Sequence, residues 1–223
     1  MMRSLVAAAA LTLLLPATAA RAVDRPAVVP QVLPMGVAVS ALALAVEDRT
    51  GYQRTSFKHW NSGDLPADGC NTRQEVLLVE AIEYPQIGPG CTLTGGVWWS
   101  YYDDREVTVA GALDIDHMVP LAEAWDSGAS SWTAQRREAY ANDQGQLASL
   151  VAVTARSNRS KSDQDPAEWL PPSGSEEVLC RYGAEWTATK LRWGLAVDEL
   201  ERARLLDIAA GCDGTDVEFT PAP

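Results

Sequence analysis

The chain has 223 residues, with 18 Lys and Arg against 30 Asp and Glu, for a formal net charge of −12. That balance argues against a protein that holds nucleic acid by bulk electrostatics, because non-specific affinity comes from neutralising phosphates with basic side chains. The length suits one domain with a substantial core, no internal repeat is visible, and the protein is read as a monomer.

Residues 1–22 carry a basic start at Arg3, an apolar run from Leu5 to Leu15, Pro16, and a small-residue end at Ala20-Arg21-Ala22, the order of a secretory signal. The apolar stretch is short for a bilayer span and no later segment is long enough either, so export is expected without stable membrane association. Cleavage would remove Arg3 and Arg21 and no acid, leaving 16 basic against 30 acidic residues and a net charge of −14. Residues 23–34 are rich in Pro and Val and read as a flexible leader, and Val37 to Val46 as a first helix, so 23–50 form a leader and helix ahead of a main domain over 51–212.

Gly51 to Asn61 combines aromatic and basic residues and is expected as a surface-lining loop. His59, one of two histidines, is weighed as catalytic but read as structural, since no acid follows until Asp64. Gln74 to Ile82 is predicted as a helix, capped by Asn71 or Thr72 with Glu75 in its first turn. Cys91 to Ala110 has the Thr, Val, Trp and Tyr content and the Gly95-Gly96 and Asp103-Asp104 breakers of strand, turn and strand. From Leu113 to Asp116 the alternation puts Leu113 and Ile115 on one face and Asp114 and Asp116 on the other. Pro120 then forces a turn. Short helices are expected at Leu121 to Trp125 and after the cap Thr133, a second strand over Leu147 to Thr154, a helix or turn from Ala155, and a last helix capped by Asp198. Asp213 to Pro223 reads as a disordered acidic tail.

Four cysteines in an exported chain suggest two disulfides. Three pairings are possible, and locality favours Cys70 with Cys91 and Cys180 with Cys212. No cysteine pair has the two-to-four residue spacing of a zinc site.

The chemistry concentrates in two runs. Leu113 to Leu121 holds the adjacent pair Asp116-His117, a hard oxygen ligand beside a base that can be neutral at physiological pH. Ala155 to Asp163 supplies the amide of Asn158 and the cations Arg156, Arg159 and Lys161. A cation, a base and positive charge around a phosphate are the minimum equipment for hydrolysing a phosphodiester.

Asp-x-Asp-His-x-Val-Pro-Leu at Asp114 to Leu121, Ala-Glu-Ala-Trp at Ala122 to Trp125, and Asn-Arg-Ser-Lys at Asn158 to Lys161 resemble the HNH branch of the ββα-metal nucleases. More narrowly they resemble secreted HNH endonuclease family proteins related to the C-terminal domain of GmrSD-type restriction enzymes, and the similarity spans about Gly51 to Cys212. The resemblance implies an α+β fold with a ββα-metal core hairpin and helix surrounded by further helices. It implies a secreted nuclease with nucleic acid as its substrate, DNA in preference to RNA, and one Mg²⁺ or Mn²⁺ as cofactor. His117 would be the general base, Asp116 and Asn158 the metal ligands, and Asn142 the central residue orienting the His or its loop. Lys161 or Arg159 would steady the phosphate, with Arg156 beside them. Arg73 stands in the family's Cys-x-x-Arg pattern, as a phosphate contact or a structural ion pair, and Asp114 is either a support for the ligands or the polar face of a strand. The alternative is an inactive secreted binding or inhibitory module on an HNH-derived scaffold. A different metal hydrolase would want two or three His ligands from a chain that has two His in all.

Overall fold

The computed structural model describes residues 29–223, so the expected signal segment and residues 23–28 of the leader lie outside the described residues. Along the chain run strand β1 (Gln31–Pro34), helices α1 (Met35–Ala41) and α2 (Thr72–Val79), and strands β2 (Gln86–Gly88), β3 (Thr92–Thr94), β4 (Trp98–Ser100), β5 (Arg105–Val107) and β6 (Leu113–His117). Helices α3 (Leu121–Asp126) and α4 (Ala134–Ala141), strand β7 (Leu150–Thr154), helices α5 (Ala155–Lys161), α6 (Glu176–Trp193) and α7 (Glu199–Ala210), and strand β8 (Asp216–Phe219) follow. The strands form four antiparallel pairs, β1 with β8, β2 with β3, β4 with β5 and β6 with β7. The fold is therefore α+β.

Helix starts follow the caps read in the sequence. Asn71 accepts from the Gln74 amide while the Gln74 side chain returns to the Asn71 amide, and Thr133 and Asp198 cap α4 and α7. Gly194 ends α6 with a φ of 67°, the left-handed turn that glycine enters without a Cβ clash. Disulfides join Cys70 to Cys91, tying the start of α2 to the β2–β3 turn, and Cys180 to Cys212, tying α6 to the end of α7.

Two apolar clusters flank the β6–β7 pair. Directly paired residues share a face, and Asp114 lies opposite Val153 and Asp116 opposite Val151. Val151 and Val153 enter the larger core with Tyr102, Tyr182 and Trp186, so Asp114 and Asp116 leave the strand on that side. Leu113, Ile115, Leu150 and Ala152 enter the smaller core with Val76, Leu77 and Trp98. The outer edge of β7 is covered by side chains: the Ala152 amide donates to Glu80 and the Thr154 amide to the Ser100 hydroxyl, each at 2.9 Å. Burial pushes the Glu80 carboxyl up to about 7.

Two expectations are corrected. The C-terminal residues are not a disordered tail, because Asp216–Phe219 pairs with Gln31–Pro34 and buries Val217 and Phe219. The leader likewise ends in that strand. Met35 and Val39 of α1 share the larger core with Trp186, Val217 and Phe219, so residues 31–50 and 213–219 pack into the body formed by 51–212.

Candidate functional site

The β6–β7 pair ends where the motif residues gather. Asp116 is 5% exposed, and its Oδ2 accepts from Lys161 Nζ at 2.5 Å and from the Tyr102 hydroxyl at 2.6 Å. Lys161 is fully buried and donates further to the carbonyls of Met118 at 2.7 Å and His117 at 3.1 Å. Burial raises the Asp116 carboxyl and lowers the Lys161 ammonium, each shift partly offset by attraction to the other. Lys161 is thereby corrected from a phosphate contact to the buried countercharge that fixes Asp116. No hydrogen bond reaches Asp116 Oδ1 from the described residues, and Asp116 lines a cavity of about 300 Å³.

His117 points its Nε2 at the Ala141 carbonyl, 2.9 Å away. A carbonyl only accepts, so Nε2 carries the proton and Nδ1 is the basic nitrogen. Burial pushes the imidazole down to about 3, which keeps it neutral at physiological pH. Its ring lies nearly parallel to Trp60 at 5.5 Å and to Tyr140 at 6.4 Å, with the His59 ring edge-on at 6.1 Å. His59 Nδ1 is bonded to the Phe57 carbonyl at 2.8 Å.

Asn142, at the end of α4, holds that aromatic loop. Its Oδ1 accepts from the Asn61 amide and the Thr72 hydroxyl, and its Nδ2 donates to the carbonyls of Lys58 and Glu138, all within 3.0 Å. Between those anchors Trp60 takes a φ of 60°, a left-handed conformation that costs a bulky residue about 1–3 kcal/mol.

Asn158, in α5, gives its Nδ2 to Asp114 at 3.3 Å, which leaves its amide oxygen free, and Arg159 Nε reaches the same carboxylate at 3.2 Å. Asn158 and Arg159 line the cavity with Asp116, His117, Tyr52 and Arg54. Arg54 forms no hydrogen bond or ion pair through its side chain among the described residues, while its charge is felt at His117. The cavity thus collects the carboxylates of Asp116 and Asp163, an amide, a neutral imidazole and two guanidiniums. Both Asp116 and Asn158 offer oxygen donors, the ligand type a hard divalent cation prefers.

Other expected residues lie elsewhere. Arg73 makes no ion pair among the described residues; its guanidinium donates to the Leu113 carbonyl at 2.9 Å and lines a separate cavity near Cys91, so it clamps the start of β6. Arg156 is exposed and lines a third cavity with Asp103 and Arg105, apart from His117. Sequence reasoning missed Tyr52, Arg54, Trp60 and Tyr102 as individual residues. The aromatic and basic character of Gly51 to Asn61 was the available signal for the first three.

The architecture and cavity define a disulfide-bonded α+β protein with a polar cleft beside the antiparallel β6–β7 pair and α5. A family described as GmrSD restriction endonucleases, C-terminal domain, matches residues 91–208, and the chain belongs to that family. It is also 39% identical over 163 residues to an uncharacterized secreted protein of Arthroderma benhamiae (strain ATCC MYA-4681 / CBS 112371), covering 73% of this chain and 76% of that relative. No solved structure matches. Membership ties the chain to a nuclease-related family. The disulfides and the secreted relative are consistent with an extracellular location, and no helix among the described residues is long and apolar enough to cross a membrane.

Proposed function

We propose that the protein is a secreted, divalent-cation-dependent endonuclease that hydrolyses phosphodiester bonds of nucleic acid, DNA in preference to RNA, with β6, β7 and α5 as a ββα-metal core. The observation that carries this reading is the convergence of His117, Asp116, Asn158 and Arg159 on one cavity from two motifs more than 40 residues apart. Asp116 Oδ1 and the Asn158 amide oxygen would hold Mg²⁺ or Mn²⁺, which when bound supplies positive charge to stabilise the leaving oxygen.

The neutral His117 accepts a proton from the attacking water at Nδ1, and the Ala141 carbonyl keeps the ring in the tautomer that allows it. Lys161 and Tyr102 hold the Asp116 carboxylate in one orientation. Arg159 and Arg54 supply the local positive charge that draws a phosphate into an otherwise acidic molecule. Asn142 anchors the loop that carries Trp60 over the His117 ring.

The test is incubation of the mature protein with plasmid DNA and with RNA, in Mg²⁺, Mn²⁺ or EDTA, beside His117→Ala. Cation-dependent cleavage that falls about 10²–10⁴-fold in the variant is expected, the usual cost of losing a positioned base. No cleavage of either substrate would reject the enzyme reading in favour of a binding module on this scaffold.

A further inference from the structure

Beside α3, carboxylates from four separate parts of the chain meet. Glu47 follows α1, Glu123 and Asp126 lie on α3, Asp165 follows α5, and Glu201 is in the first turn of α7. One oxygen from each of Glu47, Glu123 and Asp126 lies within 4.8 Å of the others, and the same holds for Glu47, Asp165 and Glu201. Ligands at about 2.4 Å from one cation are at most about 4.8 Å apart, so this spacing is that of a coordination shell. Four of the five are buried, Glu201 completely.

The hydrogen bonds show which oxygens are committed elsewhere. Glu123 Oε1 accepts from Lys190 and Ser127, the two Glu201 oxygens accept from Trp186 and Lys190, and Asp165 Oδ1 accepts from the amides of Ala167 and Glu168. Asp126 Oδ2 accepts from Arg49. Its Oδ1 is buried without a partner, on a side chain only 3% exposed. The Tyr182 hydroxyl is a second buried orphan, within the field of Asp116, Asp165, Glu201 and Glu123. A buried oxygen left unpaired loses its hydration without replacement, and among the described residues only Lys190 and Arg49 form ion pairs with these five acids.

We infer that Glu47, Glu123 and Asp126 bind a structural divalent cation of the Ca²⁺ type, with Asp165 and Glu201 completing the negative surround. Oxygen-only donors in an irregular cluster suit Ca²⁺, which accepts six to eight oxygens, over Mg²⁺, which demands near-octahedral geometry. The cation would join the segment after α1 to α3. Arg49, two residues beyond Glu47, already spans from Asp126 to Asp163 at the rim of the candidate active cavity, so the segment leading to Tyr52 and Arg54 would be fixed at its base.

The test is thermal unfolding of the mature protein in EDTA and in Ca²⁺ or Mg²⁺, for the parent, Glu47→Gln, and Asp207→Asn as an exposed acid outside the cluster. At a hundredfold excess over its Kd, Ca²⁺ should raise the parent Tm by about 5–10 °C. Asp207→Asn should keep that rise. Glu47→Gln should lose most of it, yet melt no lower than the parent in EDTA, because the amide keeps the hydrogen bond to Glu123 while removing a cation ligand. All three proteins retain Asp116 and Asn158, so a cation held there contributes equally to each and the outcome is independent of nuclease activity. A parent Tm indifferent to Ca²⁺, or an equal rise in Glu47→Gln, would overturn the assignment.

Discussion

Replacing Lys161 with Met tests whether this residue serves the substrate or the fold. The substitution keeps an unbranched chain in a fully buried site but removes the ammonium that contacts Asp116 at 2.5 Å, Met118 at 2.7 Å and His117 at 3.1 Å. Asp116, only 5% exposed, would keep the Tyr102 hydroxyl alone, and two carbonyls would lose a donor. Removing one member of a buried pair costs about 3–5 kcal/mol, whereas a surface lysine waiting for phosphate would cost at most about 1 kcal/mol. Urea unfolding followed by the fluorescence of the eight tryptophans measures the difference. The pair Asp116→Asn and Lys161→Met together should be less destabilised than the two single losses added, with a coupling of about 2–3 kcal/mol. A single variant within about 1 kcal/mol of the parent, or a strictly additive cycle, would refute the buried-countercharge account.

Glu80→Gln should change how stability depends on pH. A carboxyl raised to about 7 in the folded state stabilises below its unfolded value near 4.5, and that contribution is lost as pH rises through 7, by about 3 kcal/mol at the limit. Unfolding at pH 5 and pH 8 should therefore show the Gln variant gaining on the parent at the higher pH; a constant gap would contradict the assignment. Replacing Cys180 and Cys212 with Ser opens a loop of sequence separation 32 and should cost about 3–4 kcal/mol in the chain-entropy picture, read from the urea midpoint. Asn142→Ala severs four hydrogen bonds and should accelerate amide exchange at residues 58–61 while α7 keeps its protection, and uniform exchange across both segments would speak against the anchoring role.

Local chemistry made much of the chain legible from sequence alone. The caps Asn71, Thr133 and Asp198 start helices because their side chains satisfy free amides within the next three residues, a strictly local event. The alternation from Leu113 to Asp116 placed two acids on one strand face, and the motif around Asn158 supplied the second half of the cavity, since strand and helix periods are properties of neighbouring residues. Charge alone, however, does not say where a side chain ends. Lys161 and Arg159 are two residues apart on one short helix, yet one is fully buried against Asp116 while the other has a side chain 75% exposed beside the cavity, because only the packing of Tyr102 and Tyr182 decides which face of α5 is closed. Arg73, which the sequence allows as a phosphate contact or a structural ion pair, instead holds a carbonyl brought to it by Leu113, 40 residues on. The strand Asp216–Phe219 escaped notice for the same reason: four residues of weak alternation specify nothing until Gln31–Pro34, from the other end of the chain, lies alongside and the core accepts Val217 and Phe219.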